Sequence, residues 1–256
     1  MKCRLSSMPP SSTAKRMLPP LPVCCGALDE RWPWPEPLPG AQCMALRFDK
    51  ARFSAEDFIR CGIAVPDAIA SAAPKRQMEF LAGRLCAREA LHRLIGIAHV
   101  PAVAQSKAPV WPAGLIGSIT HSGDLAAALV APIQGYRGLG LDAETLLTAQ
   151  RGERLARQIL TPNERDWLAT LPTDRRGEFV TLAFSLKESL FKALFPLVNV
   201  RFYFQDAELI AWNSETQQTT LQLRKPLSPD WPSASQLHGQ YTLLDSYLVS
   251  MVAIPA

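Results

Sequence analysis

The residues best suited to chemistry in this chain are two carboxylates, Asp142 and Glu144, and a glutamate and lysine four positions apart, Glu188 and Lys192. Asp142 and Glu144 sit in RGLGLDAET (137–145), where Leu139 and Leu141 alternate with glycines as a strand allows. Alternate strand residues point to one side, so the two carboxylates share a face. Carboxylates held side by side raise each other's proton affinity unless a cation lies between them, and hard oxygen donors suit Mg2+. A solvent-facing acidic pair has the same spacing, so the run alone leaves both readings open. Glu188 and Lys192 belong to FSLKESLFK (184–192). On an exposed helix face they would be an ordinary pair worth roughly 0.2–0.5 kcal/mol. Phe184, Phe191 and Phe195 share their side of the helix. That side is therefore expected to be covered, and charges placed there need partners.

Two helices must carry much of this. The first is expected over 74–95, PKRQMEFLAGRLCAREALHRLI, with proline at its first position and Gly96 after its last. At 100° per residue, Phe80, Ala87, Leu91, Leu94 and Ile95 form an apolar half that also contains Arg84 and Arg88. A core-directed arginine requires an anion or a carboxylate. A structural ion pair and a snorkelling surface arginine are the alternatives. The second helix is expected over 176–195, with Phe179, Leu182, Ala183, Leu186, Leu190, Ala193 and Leu194 as its core stripe.

Strands follow each helix. ITHSGDLAAALVA reads as a hairpin about a Gly-Asp turn, and YTLLDSYLVSMVAIP repeats the outline near the end of the chain. The expected fold class is therefore α+β, two pseudo-duplicated α/β halves with the active site at their interface. The halves are assigned to residues 29–135 and 136–256. Residues 1–28, rich in Pro, Ser and Cys, are expected to be a disordered extension that tolerates deletion. RWPWPEPLPG (31–40) is expected to lie extended over a surface.

Composition removes several function classes. With 256 residues, 48% of them apolar, the chain can bury a substantial core. A net charge of +4 suits anionic small molecules or an acidic protein partner and is too slight to indicate nucleic acid. The six cysteines include no CxxC pair and no zinc spacing, so free thiols in a reducing cytoplasm are expected. The N-terminal prolines speak against a signal peptide, and no run approaches the length of a membrane span.

Five segments carry a family resemblance. GSITHS (117–122), GLDAE (140–144) and FSLKESLFK (184–192) resemble, in order, the motifs of the Sfp-type 4′-phosphopantetheinyl transferases. EFLAGRLCAR (79–88) and APVWP (108–112) are most similar to the enterobactin synthetase component D branch, and the likeness extends over about residues 30 to 256. Phe184 departs from the tryptophan that many members carry there, which bears on branch and packing.

The resemblance implies transfer of the phosphopantetheine arm of coenzyme A to a serine of an apo acyl or peptidyl carrier protein, leaving adenosine 3′,5′-bisphosphate. Such carriers serve fatty-acid, polyketide, nonribosomal peptide and siderophore synthesis. It implies Mg2+ on Asp142, Glu144 and Glu188, and Lys192 reaching the pyrophosphate. It implies coenzyme phosphates contacted by Lys75, Arg76, Arg84, Arg88, Lys107 and His121, with Lys187 also a candidate. Glu188 is the expected base, directly or through a water on the metal. Glu164 is either an acidic residue assisting the site or a helix cap after Thr161 and Pro162. The arginines of TAQRGERLARQIL (148–160) form either a docking surface for an acidic helical carrier or a solvated helix face. A monomer is expected. A metal-dependent nuclease and a catalytically silent coenzyme A binder remain as other classes. The first lacks the usual Glu-x-Lys order, and the second would not need all three carboxylates.

Overall fold

The structure is a computed structural model that describes residues 19–256. The chain runs β1 (Cys25–Asp29), β2 (Gln42–Phe48), α1 (Glu56–Cys61), α2 (Asp67–Ala70), α3 (Pro74–Ile95), β3 (Ala102–Val103), β4 (Pro109–Val110), β5 (Leu115–Ser122), β6 (Leu125–Pro132) and β7 (Tyr136–Thr145). It continues through α4 (Ala149–Ile159), α5 (Pro162–Thr170), α6 (Thr173–Val198), β8 (Ala207–Asn213), β9 (Gln218–Leu223), β10 (Gln236–Leu244) and β11 (Tyr247–Pro255).

The halves repeat one antiparallel plan. In the first sheet, ordered β1-β2-β6-β5, the strand before the helix pairs with the second strand of the following hairpin. In the second sheet, ordered β7-β11-β10-β9-β8, β7 stands to α6, β10 and β11 as β2 stands to α3, β5 and β6. The duplication is therefore longer by one strand per half than helix plus hairpin. Alternation along the strands explains the layering. Met44, Leu46 and Phe48 of β2 pack with α3, while Cys43 joins Leu125, Ala127 and Leu129 against Leu139, Leu141 and Ala143 of β7. The sheets thus meet through one apolar layer, with α3 and α6 outside them.

Between the sheets, β5 and β7 run side by side without a backbone ladder. Leu141 N donates to Ser118 Oγ at 3.0 Å, and Ala143 N donates to Thr120 Oγ1 at 3.1 Å. These two buried hydroxyls satisfy the free edge of β7, whose amides would otherwise be unpaired in the interior.

Three expectations change. Residues 1–18 lie outside the described residues, but Cys25–Asp29 is a strand of the first sheet and Cys24 is buried in its core. Deletion through 28 would therefore remove structure. The 31–40 segment is not merely a surface run: Trp34 is buried, and its indole Nε1 donates to Val249 O at 3.1 Å. Glu36 is held by Gln240 through Glu36 N to Gln240 Oε1 at 2.8 Å and Gln240 Nε2 to Glu36 O at 3.1 Å. The segment straps one half to the other. The first helix has the expected ends, yet it is buried almost all round between Met78 and Leu91, while Ile95, placed on its apolar half, is exposed. With a sheet beneath it and α1 against its flank, amphipathic periodicity alone could not find its buried face.

The approach of α6 to β7 positions the charged residues. Gly138 and Gly140 alternate with Leu139 and Leu141, and their bare face lies against the α6 backbone. A Cβ on Gly140 would overlap Ser189 O and approach Ala193 N to 3.0 Å. Gly140→Ala should therefore force the helix off the strand. A loss of about 3 kcal/mol is expected by denaturant unfolding, since rigid backbone must move. A wild-type midpoint would show that the contact is looser than described.

Candidate active site

With the α6 backbone against the glycine face of β7, Glu188 and Lys192 come beside Asp142. Lys192 Nζ donates to Asp142 Oδ1 at 2.7 Å and to Leu141 O at 2.9 Å. Thr120 Oγ1 donates to the same carboxylate oxygen at 3.3 Å, so Asp142 is bound from both halves. Its other oxygen, Oδ2, is buried without a hydrogen-bond partner. A buried carboxylate oxygen in that state costs free energy unless a cation or donor reaches it.

Glu144 and Glu188 feel the same crowding. Burial, then Asp142, pushes the Glu144 carboxyl up to about 7; Lys192 opposes this, and Glu188 adds a smaller raising effect. Burial, then Asp142, raises Glu188 as well. Among the described residues no three His, Cys, Asp or Glu side chains form a ready-made metal cage. The donor chemistry nevertheless fits a hard divalent cation. The Asp142 charge raises the proton affinity of both Glu144 and Glu188, and one buried oxygen of Asp142 is orphaned.

The first half contributes the basic groups. Arg76 Nη1 lies 2.6 Å from His121 Nε2. Because a guanidinium only donates, Nε2 is the acceptor and the proton of the neutral ring is on Nδ1. Nδ1 faces Glu79 Oε2 at 3.6 Å, and the same oxygen is 3.6 Å from Arg76. Burial lowers the His121 pKa; Glu79 opposes this, Arg76 and Lys192 add to it, and Asp142 again opposes it. His121 thus senses charges of both halves. Arg84 is buried, with its guanidinium 4.6 Å over the Phe80 ring and its Nε unpartnered. Burial, then Arg76, lowers it to about 10, so it stays cationic near neutrality and wants an anion.

The structure does not gather all the expected residues. Lys75 is exposed on α3, 3.9 Å from Glu79, and Lys107 is exposed at the β3–β4 turn. Arg88 is buried in an ion pair with Glu89 at 3.1 Å and donates to Cys61 O at 2.9 Å, which is the structural alternative. Lys187 is likewise structural. Its Nζ is 2.6 Å from Glu164 Oε2 and 2.9 Å from Ile159 O, with side-chain exposures of 2% and 0% for the ion pair. Glu164 completes a capping box with Thr161 and accepts from Leu209 N at 2.6 Å. This satisfies its oxygens within α5, α6 and β8, so the cap reading accounts for it. The consecutive residues Lys187 and Glu188 project to different neighbours of α6, a separation set by 100° per residue. Residues that sequence reasoning passed over are Glu79, Ser118 and Thr120. Their signal was positional: Ser118, Thr120 and His121 share GSITHS, and Glu79 lies one turn beyond Arg76.

Beside Glu188 opens a cavity of about 200 Å3 lined by Phe191, Arg201, Phe202, Tyr203 and Phe204. A larger one, about 790 Å3, lies between the 31–40 segment and the face of the second sheet turned away from α6, near Glu36, Leu38 and Gln240. None of the acidic or basic residues just described lines it.

The class defined by fold and site is a duplicated α+β protein whose first half brings cationic side chains, and whose second half brings carboxylates, to one seam. Residues 65–131 match the 4′-phosphopantetheinyl transferase N-terminal domain family, and residues 138–252 match the 4′-phosphopantetheinyl transferase superfamily. Enterobactin synthase component D of Escherichia coli O157:H7 is 36% identical over 179 residues, covering 70% of this chain and 82% of that protein. The 4′-phosphopantetheinyl transferase Svp of Streptomyces mobaraensis is 40% identical over 143 residues, 55% of this chain and 57% of Svp. Holo-[acyl-carrier-protein] synthase of Thermotoga maritima matches with 28% identity, 46% of this chain, 62% of that chain and a TM-score of 0.35, a likeness too partial to carry an argument. The chain belongs to the 4′-phosphopantetheinyl transferase superfamily and is an enzyme of that type.

Two measurements follow from this geometry. Glu144 has a folded pKa above its unfolded value, so its contribution to stability is present below the unfolded pKa and is lost as pH rises through about 7. Without divalent cations, the melting temperature of the wild type should fall relative to Glu144→Gln between about pH 5 and 7, and Mg2+ should shrink that difference. Parallel profiles would remove Glu144 from the crowded set. Lys187→Met strands a buried carboxylate, and a loss of about 3–5 kcal/mol is expected by denaturant unfolding. Unchanged stability would return Lys187 to the ligand-binding set.

Proposed function

We propose that the protein transfers the 4′-phosphopantetheine arm of coenzyme A to a serine of an apo acyl or peptidyl carrier protein, with Mg2+, releasing adenosine 3′,5′-bisphosphate. The observation that carries this reading is the convergence at the β5–β7 seam. His121 of one half, paired there with Arg76, comes within electrostatic reach of Asp142 and Lys192 of the other.

In this reading Arg76, Arg84 and His121 hold coenzyme phosphates, with Lys75 and Lys107 as exposed outer contacts. Asp142, Glu144 and Glu188 hold Mg2+, which when bound neutralises charge on the pyrophosphate oxygens. The serine oxygen bonds to the β-phosphorus as the bond from that phosphorus to the bridging oxygen breaks, and the electron pair leaves on adenosine 3′,5′-bisphosphate. Glu188 accepts the serine proton. A general base must be ionised at the working pH, and a bound cation would keep Glu188 so by offsetting the burial and the Asp142 charge that raise its proton affinity in the metal-free site. Lys192, kept by Asp142 and Leu141 O, faces the leaving oxygen as a fixed charge. The aromatic cavity beside Glu188 has room for part of the arm.

On α4 the side chains of Arg151, Arg154 and Arg157 are exposed, while Ala156 and Ile159 pack inward. That leaves a basic outer face suited to steering an acidic carrier. Both halves of the site lie in one chain, which supports a monomer. The described cysteines, all free, suit a reducing cytoplasm, and no helix among the described residues is long and apolar enough to cross a membrane.

Intact-mass spectrometry of apo acyl and peptidyl carriers, incubated with the protein, coenzyme A and Mg2+ beside a metal-free control, tests the reading. A metal-dependent gain of one phosphopantetheine arm is expected. Coenzyme A binding without any gain would favour the silent binder. Asp142→Ala should abolish the gain while circular dichroism stays native; normal turnover in this variant would refute the metal assignment.

A further inference from the structure

The site is divided between two halves that share no backbone ladder, so something must fix their separation at the open end. Along the seam, the Ser118–Leu141 and Thr120–Ala143 hydrogen bonds are successive rungs. Beyond them come His121 on β5 and Glu144 on β7, both used in the proposed chemistry. Past these residues the halves meet again. The hydroxyl of Tyr247, which lies opposite Thr145 in the β7–β11 register, donates to Asp124 Oδ1 at 2.6 Å and accepts from Asp124 N at 3.1 Å. Asp124 belongs to the β5–β6 turn, three residues after His121.

The surroundings are built around this contact. Gly123, at φ +58°, lies so close to Tyr247 that a Cβ would overlap the hydroxyl and approach Cζ to 2.9 Å. Arg47, at the end of β2, sits 4.7 Å over the tyrosine ring and pairs with Asp124 at 2.9 Å and Asp245 at 2.8 Å. The β10–β11 turn is thereby tied to the first sheet. The hydroxyl bond and Arg47 both hold the Asp124 carboxylate below its usual range, so it remains the acceptor near neutrality.

We propose that Tyr247 and Asp124 form a latch that sets the spacing between His121 of the first half and Glu144 of the second, making Tyr247 a positioning residue for the transfer. The proposal rests on the reaction stated under Proposed function. Neither residue touches the reacting groups. The latch acts by bracketing His121 and Glu144 between a buried rung and a fixed turn. A small misalignment at a phosphoryl centre reduces rate more than binding.

The test uses the full chain, with Tyr247→Phe, Asp124→Ala and the double variant assayed for transfer to an apo carrier well below their melting temperatures. Each single change should lower kcat about tenfold, with the KM for coenzyme A changed by less than about threefold. The double variant should be no slower than about twofold below the singles, because both remove one contact. Unchanged kcat, even with a lower melting temperature, would show a purely structural role and overturn the latch. Multiplying losses in the double variant would overturn it too. A wild type that transfers nothing sinks the reaction itself, and the latch's role with it.

Discussion

The proposed chemistry is arranged around Asp142, a buried carboxylate held from two sides and left with one oxygen unpaired. Thr120 reaches it from the first half and Lys192 from the second. Such a group is tolerable only where the fold supplies cations, and the fold does so from α6. The cost of burying it also spreads, because the same negative charge raises the proton affinity of Glu144 and Glu188. The carboxylates form one electrostatic unit.

That unit depends on close approach. A strand with leucine on one face and glycine on the other can bury its large side chains between the sheets and still admit a helix backbone on the opposite side. The contact is tightened by Ser185, Ser189 and Ser250, whose hydroxyls bond one another at 2.8 and 2.9 Å beneath the helix. Small residues thus bring Glu188 and Lys192 to the strand carrying Asp142 and Glu144. The first half obeys the same economy with a different result: α3 delivers Arg76, Glu79 and Arg84 to the side of β5 that carries His121.

Charges in FSLKESLFK therefore have two distinct purposes. Glu188 and Lys192 face the seam, whereas Lys187 turns toward Glu164 and holds α5 and β8 against α6. Adjacent residues with like composition carry unlike roles because helical rotation sends them to different neighbours. Arg84 and Arg88 divide the same way on α3, one lacking a partner for its Nε and the other closed by Glu89 and Cys61.

The sequence by itself determined the local elements and the chemistry on offer. The ends of α3, the hairpin turns, the shared face of Asp142 and Glu144, and the duplicated order were all legible, since they follow from short-range spacing and turn chemistry. Four motifs in order also identified the family. Only the tertiary structure decided which charges are closed by internal partners and which are left facing the seam, where the apolar side of a helix buried all round lies, and that Cys25–Asp29 is a strand. It alone revealed Trp34 as a strap and Tyr247 as a link between turns. The physical reason is range. Periodicity reports the side to which a residue points, but partners such as Asp124 and Tyr247, 123 residues apart, become neighbours only when the two sheets pack.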